Sequence, residues 1–291
     1  MSVVEQAMSR LRRKEQAVTT IGSLTKKGPS PADDSALTVH SARHVVIDRA
    51  TLHNAGYLPD SSKDRQFADY YRQIKRPLIA RAMATPDANA AGARLIILAS
   101  ALPGDGKTFT SINLALSMAR ERDVSIVLVD ADVAKPHISR IFGVDQEPGL
   151  LEALTEEVSD VESLILATDV PGLSILPAGK PHDGAAELLA SERMEQVVAR
   201  ISARDPRRIS LFDSPPLLVS SESRALVGVA GQVVLVVRAG KTPRQAVLDA
   251  IALVGEGKSL SLVLNQGHVG LSDGYYAYGY NSNTSEGSGE S

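Results

Sequence analysis

An α/β fold, with a parallel β-sheet flanked by helices on both faces, is what the 291 residues of this chain predict. Three observations lead there. Six short runs from Arg94 onward ("RLIILAS", "VSIVLVD", "LSILPAG", "RISLFDS", "QVVLVVRAG" and "LSLVLNQ") are apolar at consecutive positions, as strands covered on both faces are. Segments around 108–121, 185–204 and 242–255, lying between such runs, carry helical spacing instead. The first run also leads directly through a glycine-containing turn into an amphipathic helix, "ASALPGDGKTFTSINLALSMA". Alternating strands and helices pack as a sheet with helices on either side, because each crossover must return the chain to a parallel strand.

Bulk composition narrows the function. With 43% hydrophobic and 22% charged residues the chain has the make-up of an ordinary globular protein, and a formal net charge of -3 offers no electrostatic basis for a nucleic-acid partner. The absence of cysteine excludes disulfides, thiolate metal sites and cysteine nucleophiles, and fits a reducing compartment such as the cytoplasm. The opening "MSVVEQAMSRLRRKEQ" lacks the apolar centre of a signal peptide, and no run approaches the roughly 18 residues that span a bilayer. Membrane association is expected only through a partner or a surface contact.

The elements follow in order. Residues 1–16 place Val3, Val4, Ala7, Met8 and Leu11 at helical spacing, an N-terminal amphipathic helix whose arginines sit at its C-terminal end. Residues 17–60, with "KKGPSPADDSA", read as a flexible linker. The catalytic-type domain is expected over 61–266, beginning with a helix in "DRQFADYYRQIKRPLIARAMA"; there Phe67, Tyr70, Tyr71, Ile74 and Leu78 make an apolar stripe and Pro77 predicts a kink or break. Residues 267–291 are Gly, Ser, Asn and Tyr-rich, and read as a disordered tail.

The chemistry concentrates in Ala101-Leu-Pro-Gly-Asp-Gly106-Lys107-Thr108, a Walker A loop with Ala101 in place of the usual first glycine. Gly104 and Gly106 free the backbone to curl its N–H groups around phosphate oxygens, the helix points its positive end at them, and Lys107 adds a full charge. The nucleotide-binding stretch is therefore Pro103, Gly104, Asp105, Gly106, Lys107, Thr108 and Phe109, with the Thr108 hydroxyl placed for Mg²⁺ and ATP as the nucleotide. Two further strands end in acid: "SIVLVDADVAKP" in Asp130 and Asp132, "RISLFDSPPLL" in Asp213. A lone strand-end Asp is more often a helix cap, but three beside a phosphate loop point to Mg²⁺, which needs few protein ligands. Arg238, Lys241 and Asn265 fall at or after strand ends near the same crevice, Asn265 either as an adenine reader or as a turn cap.

These motifs, together with "LPAGK", "AAELLAS" and "VVLVVRAGKT", resemble the bacterial tyrosine kinases, whose P-loop architecture is shared with MinD/ParA-like ATPases. The start and "YYRQIKRPLI" are similar to the tyrosine autokinases of exosortase-associated exopolysaccharide loci. The resemblance implies a tyrosine kinase that uses Lys107, Asp130, Asp132 and Asp213 in catalysis and Thr108 with those carboxylates for the metal. It implies a transmembrane polysaccharide co-polymerase, or chain-length determinant, as activator, recruiting the cytoplasmic kinase to the inner face of the plasma membrane. It also implies ring-like homo-oligomers through a motif that falls on Asp69, Arg72 and Lys75; the less favoured alternative, on spacing alone, is a solvated face with intrahelical ion pairs. The family's basic residue after the DxD is Ala134 here, with Lys135 next. Finally, Tyr275, Tyr276, Tyr278 and Tyr280 stand in a chain only 4% aromatic, and the resemblance makes them autophosphorylation sites, presented in trans. The alternatives are a MinD-type switch, whose early Walker A lysine is missing before Lys107, and a non-catalytic assembly subunit.

Overall fold

A computed structural model of the chain describes residues 44–59, 61–84, 90–155 and 160–267. The expected N-terminal helix 1–16, most of the linker and the tail tyrosines lie outside the described residues. In chain order the elements are β1 (His44–Val45), α1 (Arg49–Asn54), α2 (Asp64–Ala84), α3 (Ala90–Arg94), β2 (Leu95–Ser100), α4 (Lys107–Met118), β3 (Ser125–Asp130), α5 (His137–Ile141) and α6 (Leu150–Leu154). They continue with β4 (Leu166–Thr168), β5 (Leu173–Leu176), α7 (Ala185–Leu189), α8 (Glu192–Arg204), β6 (Arg208–Asp213), α9 (Ser221–Val229), β7 (Gln232–Arg238), α10 (Arg244–Val254) and β8 (Ser259–Asn265).

The sheet has the order β1-β4-β5-β3-β6-β2-β7-β8. From β5 to β8 every pairing is parallel, and the strand-by-strand alternation of side chains sorts the core into two layers. Leu95, Ile97, Val127, Val129, Phe212, Val233 and Leu235 face α6, α8, α9 and α10. Ile96, Leu98, Ile126, Leu128, Ile209, Leu211 and Val234 face α1, α2, α4 and α5. Because β2 is central, with β6 and β7 on either side, the loops leaving β2, β3 and β6 open at one end of the sheet, where the strand order reverses.

The structure differs from expectation in four details. The linker 17–60 contains β1 and α1. Asp48 caps α1 by accepting from Ala50 N and Thr51 N, and Ile47 N donates to Asp169 Oδ1 at 2.8 Å, so a segment with little periodicity is pinned by local polar bonds. The sheet is not wholly parallel, since β4 pairs antiparallel with β5 and carries β1 on its outer edge. The segment 185–204 forms two helices, with Ser191 starting the second, and α2 runs through Pro77 without a break.

Candidate active site

The loop from β2 to α4 owes its shape to two residues with left-handed backbone, Gly104 at φ +83° and Gly106 at φ +90°. Gly106 is the N-cap of α4 and supplies no side chain to its first N–H groups, which leaves them available to an anion. A Cβ at Gly106 would overlap the amide nitrogen of Asn265, whereas one at Gly104 would meet nothing, and Gly104 with Pro103 is exposed at the loop tip. The loop is braced from below. Asp105 is buried, accepting from Leu102 N at 3.1 Å and from the Thr242 hydroxyl at 2.7 Å. Asn265 Nδ2 donates to Asp105 O at 3.0 Å, and its Oδ1 accepts from Gln266 N. Both side chains thus hold the loop, which favours the turn-capping reading of Asn265 over the adenine-reading one and leaves Asp105 only its backbone for a nucleotide. The Phe109 ring packs edge-on against Phe67 of α2, with centroids 6.3 Å apart.

Asp213 gathers the basic and hydroxyl groups of α4. Its carboxylate, fully buried at the end of β6, accepts from Lys107 Nζ at 3.0 Å, Thr108 Oγ at 2.7 Å and Ser111 Oγ at 2.9 Å. Three donors, one of them charged, offset the cost of removing a carboxylate from water. Lys107 and Ser111 are one helical turn apart, so a serine missed by the sequence reading lies on the lysine's own helix face.

Asp130 ends β3, the strand beside β6, and Asp132 follows it; Asp130 and Asp213 are register partners. Asp130 Oδ2 accepts from Ser139 N at 2.7 Å and Ser139 Oγ at 2.8 Å, while its buried Oδ1 has no partner. Burial pushes the Asp130 carboxyl up to about 7, against the hydrogen bonds from Ser139 and with repulsion from Asp213 and Asp132. Asp132 is raised as well, first by burial, although Lys107 draws it down. Tyr57, half-buried beyond α1, has its phenol held above the usual range by burial and by Asp213, against Arg140 and Lys107; its carbonyl accepts from Asn113 of α4 at 2.7 Å. Neither Ser139 nor Tyr57 belongs to a motif, and only the fold brings them here.

This donor set fits a nucleotide and magnesium. An uncapped helix start and a positive-φ glycine turn suit phosphate oxygens, and an orphaned buried carboxylate oxygen suits a cation. No group of three or more His, Asp or Glu among the described residues is placed to hold a metal unaided, so Thr108, Asp213 and Asp132 would share it with phosphate and water, and the unpartnered Oδ1 of Asp130 is left for a proton.

The remaining expected residues lie elsewhere. On α2, Asp69 and Arg72 pair with each other on the exposed face. Lys75 does not: it is buried, donating to Ser117 O at 2.6 Å and to Glu121 at 2.8 Å, because its turn of the helix packs on α4. Arg238 and Lys241 form the turn after β7, where Arg238 N donates to Thr242 Oγ.

A phosphate loop after central β2, with acidic residues at the end of β6 beside it and of β3 one strand further, defines a P-loop nucleotide-binding α/β domain. The family model described as an AAA domain matches residues 93–256, and the chain belongs to that family. Its similar proteins place it more finely. It is 30% identical over 191 residues to the tyrosine-protein kinase YwqD of Bacillus subtilis (strain 168), covering 62% of this chain and 79% of that one. It is 32% identical over 148 residues to the tyrosine-protein kinase ptk of Acinetobacter johnsonii, covering 51% of this chain but only 20% of the relative. Among solved structures, the kinase domain of the Escherichia coli tyrosine kinase ETK superposes with a TM-score of 0.57 at 26% identity, over 73% of this chain and 80% of that one. The chain is a member of the bacterial tyrosine-kinase family.

Proposed function

We propose that the chain is an ATP-dependent tyrosine autokinase that phosphorylates its own C-terminal cluster, Tyr275, Tyr276, Tyr278 and Tyr280, from one copy to another. The observation that carries this reading is the convergence of Lys107, Thr108 and Ser111 on buried Asp213 beside an open glycine loop, in a family of tyrosine kinases. Lys107 leaves Asp213 for the β- and γ-phosphates when ATP binds, exchanging one charge-assisted bond for another. The tyrosine oxygen attacks the γ-phosphorus, the bond to the β,γ-bridging oxygen breaks, and ADP departs. The phenolic proton passes to Asp130, whose Oδ1 has no other partner. Thr108, Asp132 and Asp213 would hold magnesium, which would supply neutralisation of the phosphate charge.

Similarity to the exopolysaccharide autokinases supports a role in polysaccharide synthesis and export, under a transmembrane co-polymerase that brings the kinase to the inner face of the plasma membrane. No helix among the described residues is long and apolar enough to cross a membrane. The division into helix 1–16, linker from 17, kinase domain 61–266 and tail 267–291 belongs to this reading, as does ring assembly through Asp69 and Arg72. The test is intact-mass analysis after incubation with Mg²⁺-ATP. Additions of phosphate on the 275–280 peptide that vanish in Lys107→Met are expected; nucleotide binding with no phosphate added contradicts the autokinase and favours a nucleotide switch.

A further inference from the structure

At the end of the sheet opposite the phosphate loop, a cavity of about 990 Å³ opens between the starts of β3 and β5, the end of α4 and the end of α8. Six arginines line it: Arg49, Arg120, Arg122, Arg204, Arg207 and Arg208. Its three carboxylates are already engaged, Glu162 by Arg208, Asp205 by Arg207 and by the Ser125 hydroxyl, and Glu121 by Lys75. Arg49, Arg120, Arg122 and Arg204 are exposed and have no hydrogen-bonding or ionic partner among the described residues. Four unpaired guanidinium groups around one concavity are conspicuous in a chain whose net charge is -3. Like charges held together repel unless an anion joins them, and planar guanidinium forks match the oxygens of a phosphate.

We infer that this cavity binds the phosphorylated C-terminal tail of the chain, taking the phosphates of Tyr278 and Tyr280 on Arg49, Arg120, Arg122 and Arg204. The inference rests on the autokinase reading for the origin of the phosphates. Three observations select this occupant. Residues 259–291 carry no Lys or Arg, while Asp273, Glu286 and Glu290 make this stretch acidic before modification. Each phosphate then adds roughly -1.5 to -2 charges. Reach is sufficient: β8, where the described chain leaves the sheet, is four strands from β3, which with one strand length is about 27 Å. Tyr278 and Tyr280 have about 45 and 52 Å of extended chain beyond Asn265, enough to cover that distance and pass around the edge of the sheet. The cavity shares no residue with the phosphate loop, so it would hold the product away from the site that made it and free that site for the next tyrosine.

The test is fluorescence anisotropy with a synthetic peptide of residues 268–291 phosphorylated at Tyr278 and Tyr280, titrated into full-length Lys107→Met protein, which does not load its own tail. Binding about 10-fold or more tighter than the unphosphorylated peptide is expected. Arg122→Ser/Arg204→Ser should abolish the difference while melting with the parent, since neither side chain has a partner to lose. Equal binding of the two peptides, or tight binding indifferent to the arginines, overturns the inference. So do vesicles containing phosphatidylserine that bind through the same arginines and are not displaced by the phosphopeptide. The kinase reading fails separately: a chain that binds phosphopeptide but never acquires phosphate from Mg²⁺-ATP keeps the cavity and loses the autokinase.

Discussion

Gly106 is the residue on which the loop geometry turns. At φ +90° a side chain costs of order 1–3 kcal/mol in backbone strain, and here a Cβ would also displace Asn265. Gly106→Ala is therefore expected to weaken ATP binding by about 10-fold or more at a stability cost in that range, read by calorimetry and by denaturation. Gly106→Ala/Asn265→Ala should recover only part of the loss, because the overlap is relieved and the positive φ is not; full recovery would mean that the backbone tolerates alanine. The phosphate-loop residues and the three carboxylates were legible because motif spacing encodes them. Ser111, Ser139 and Thr242 were not, since a serine or threonine is common everywhere, and only the packed sheet shows which carboxylate it meets. Asp105 and Asn265 were legible as site neighbours but not as braces, since partners 160 residues apart leave no local pattern.

Among the elements, the buried strands were the plainest in sequence: β2, β3, β6 and β7 differ from the expected runs by a residue or two at their ends. Continuous apolar runs survive because both faces are covered. The outer edge was illegible for the opposite reason. β1 has two residues and β4 three, too short to show alternation, and their pairing depends on the partner strand. Pro77 is instructive in another way. It lies in the interior of α2, exposed, and lacks the N–H that would bond the carbonyl one turn earlier, yet the 21-residue helix continues because Tyr71, Lys75, Leu78 and Ala82 bury one face. Pro77→Ala should raise stability by up to about 3 kcal/mol, shifting the urea midpoint without changing the slope. An unchanged midpoint would show that the helix has already relaxed around the missing bond.

At the scale of the molecule, the sheet separates two anion-related features, the phosphate loop at one end and the arginine cavity at the other. The α2 motif divides in the same way into inside and outside. Lys75→Ala removes the donor that ties α2 to Ser117 and Glu121, and should cost about 1–3 kcal/mol in denaturation. Arg72→Ala loses only an exposed pair with Asp69 and should change stability by less than about 0.5 kcal/mol while shifting the sedimentation of any ring. Equal destabilisation by both would contradict the assignment of Lys75 to the core and Arg72 to the assembly surface. The claim that joins loop, acids and tail is phosphoryl transfer between copies. Lys107→Met keeps its tyrosines without the catalytic lysine, and a variant with Tyr275, Tyr276, Tyr278 and Tyr280 all changed to Phe keeps the lysine without its targets. The two are mixed with Mg²⁺-ATP and followed by peptide mass spectrometry. Phosphate appearing on the tail of the Lys107→Met chain, and in neither protein alone, is the predicted result; no phosphate in the mixture, while wild type is modified, would contradict transfer in trans.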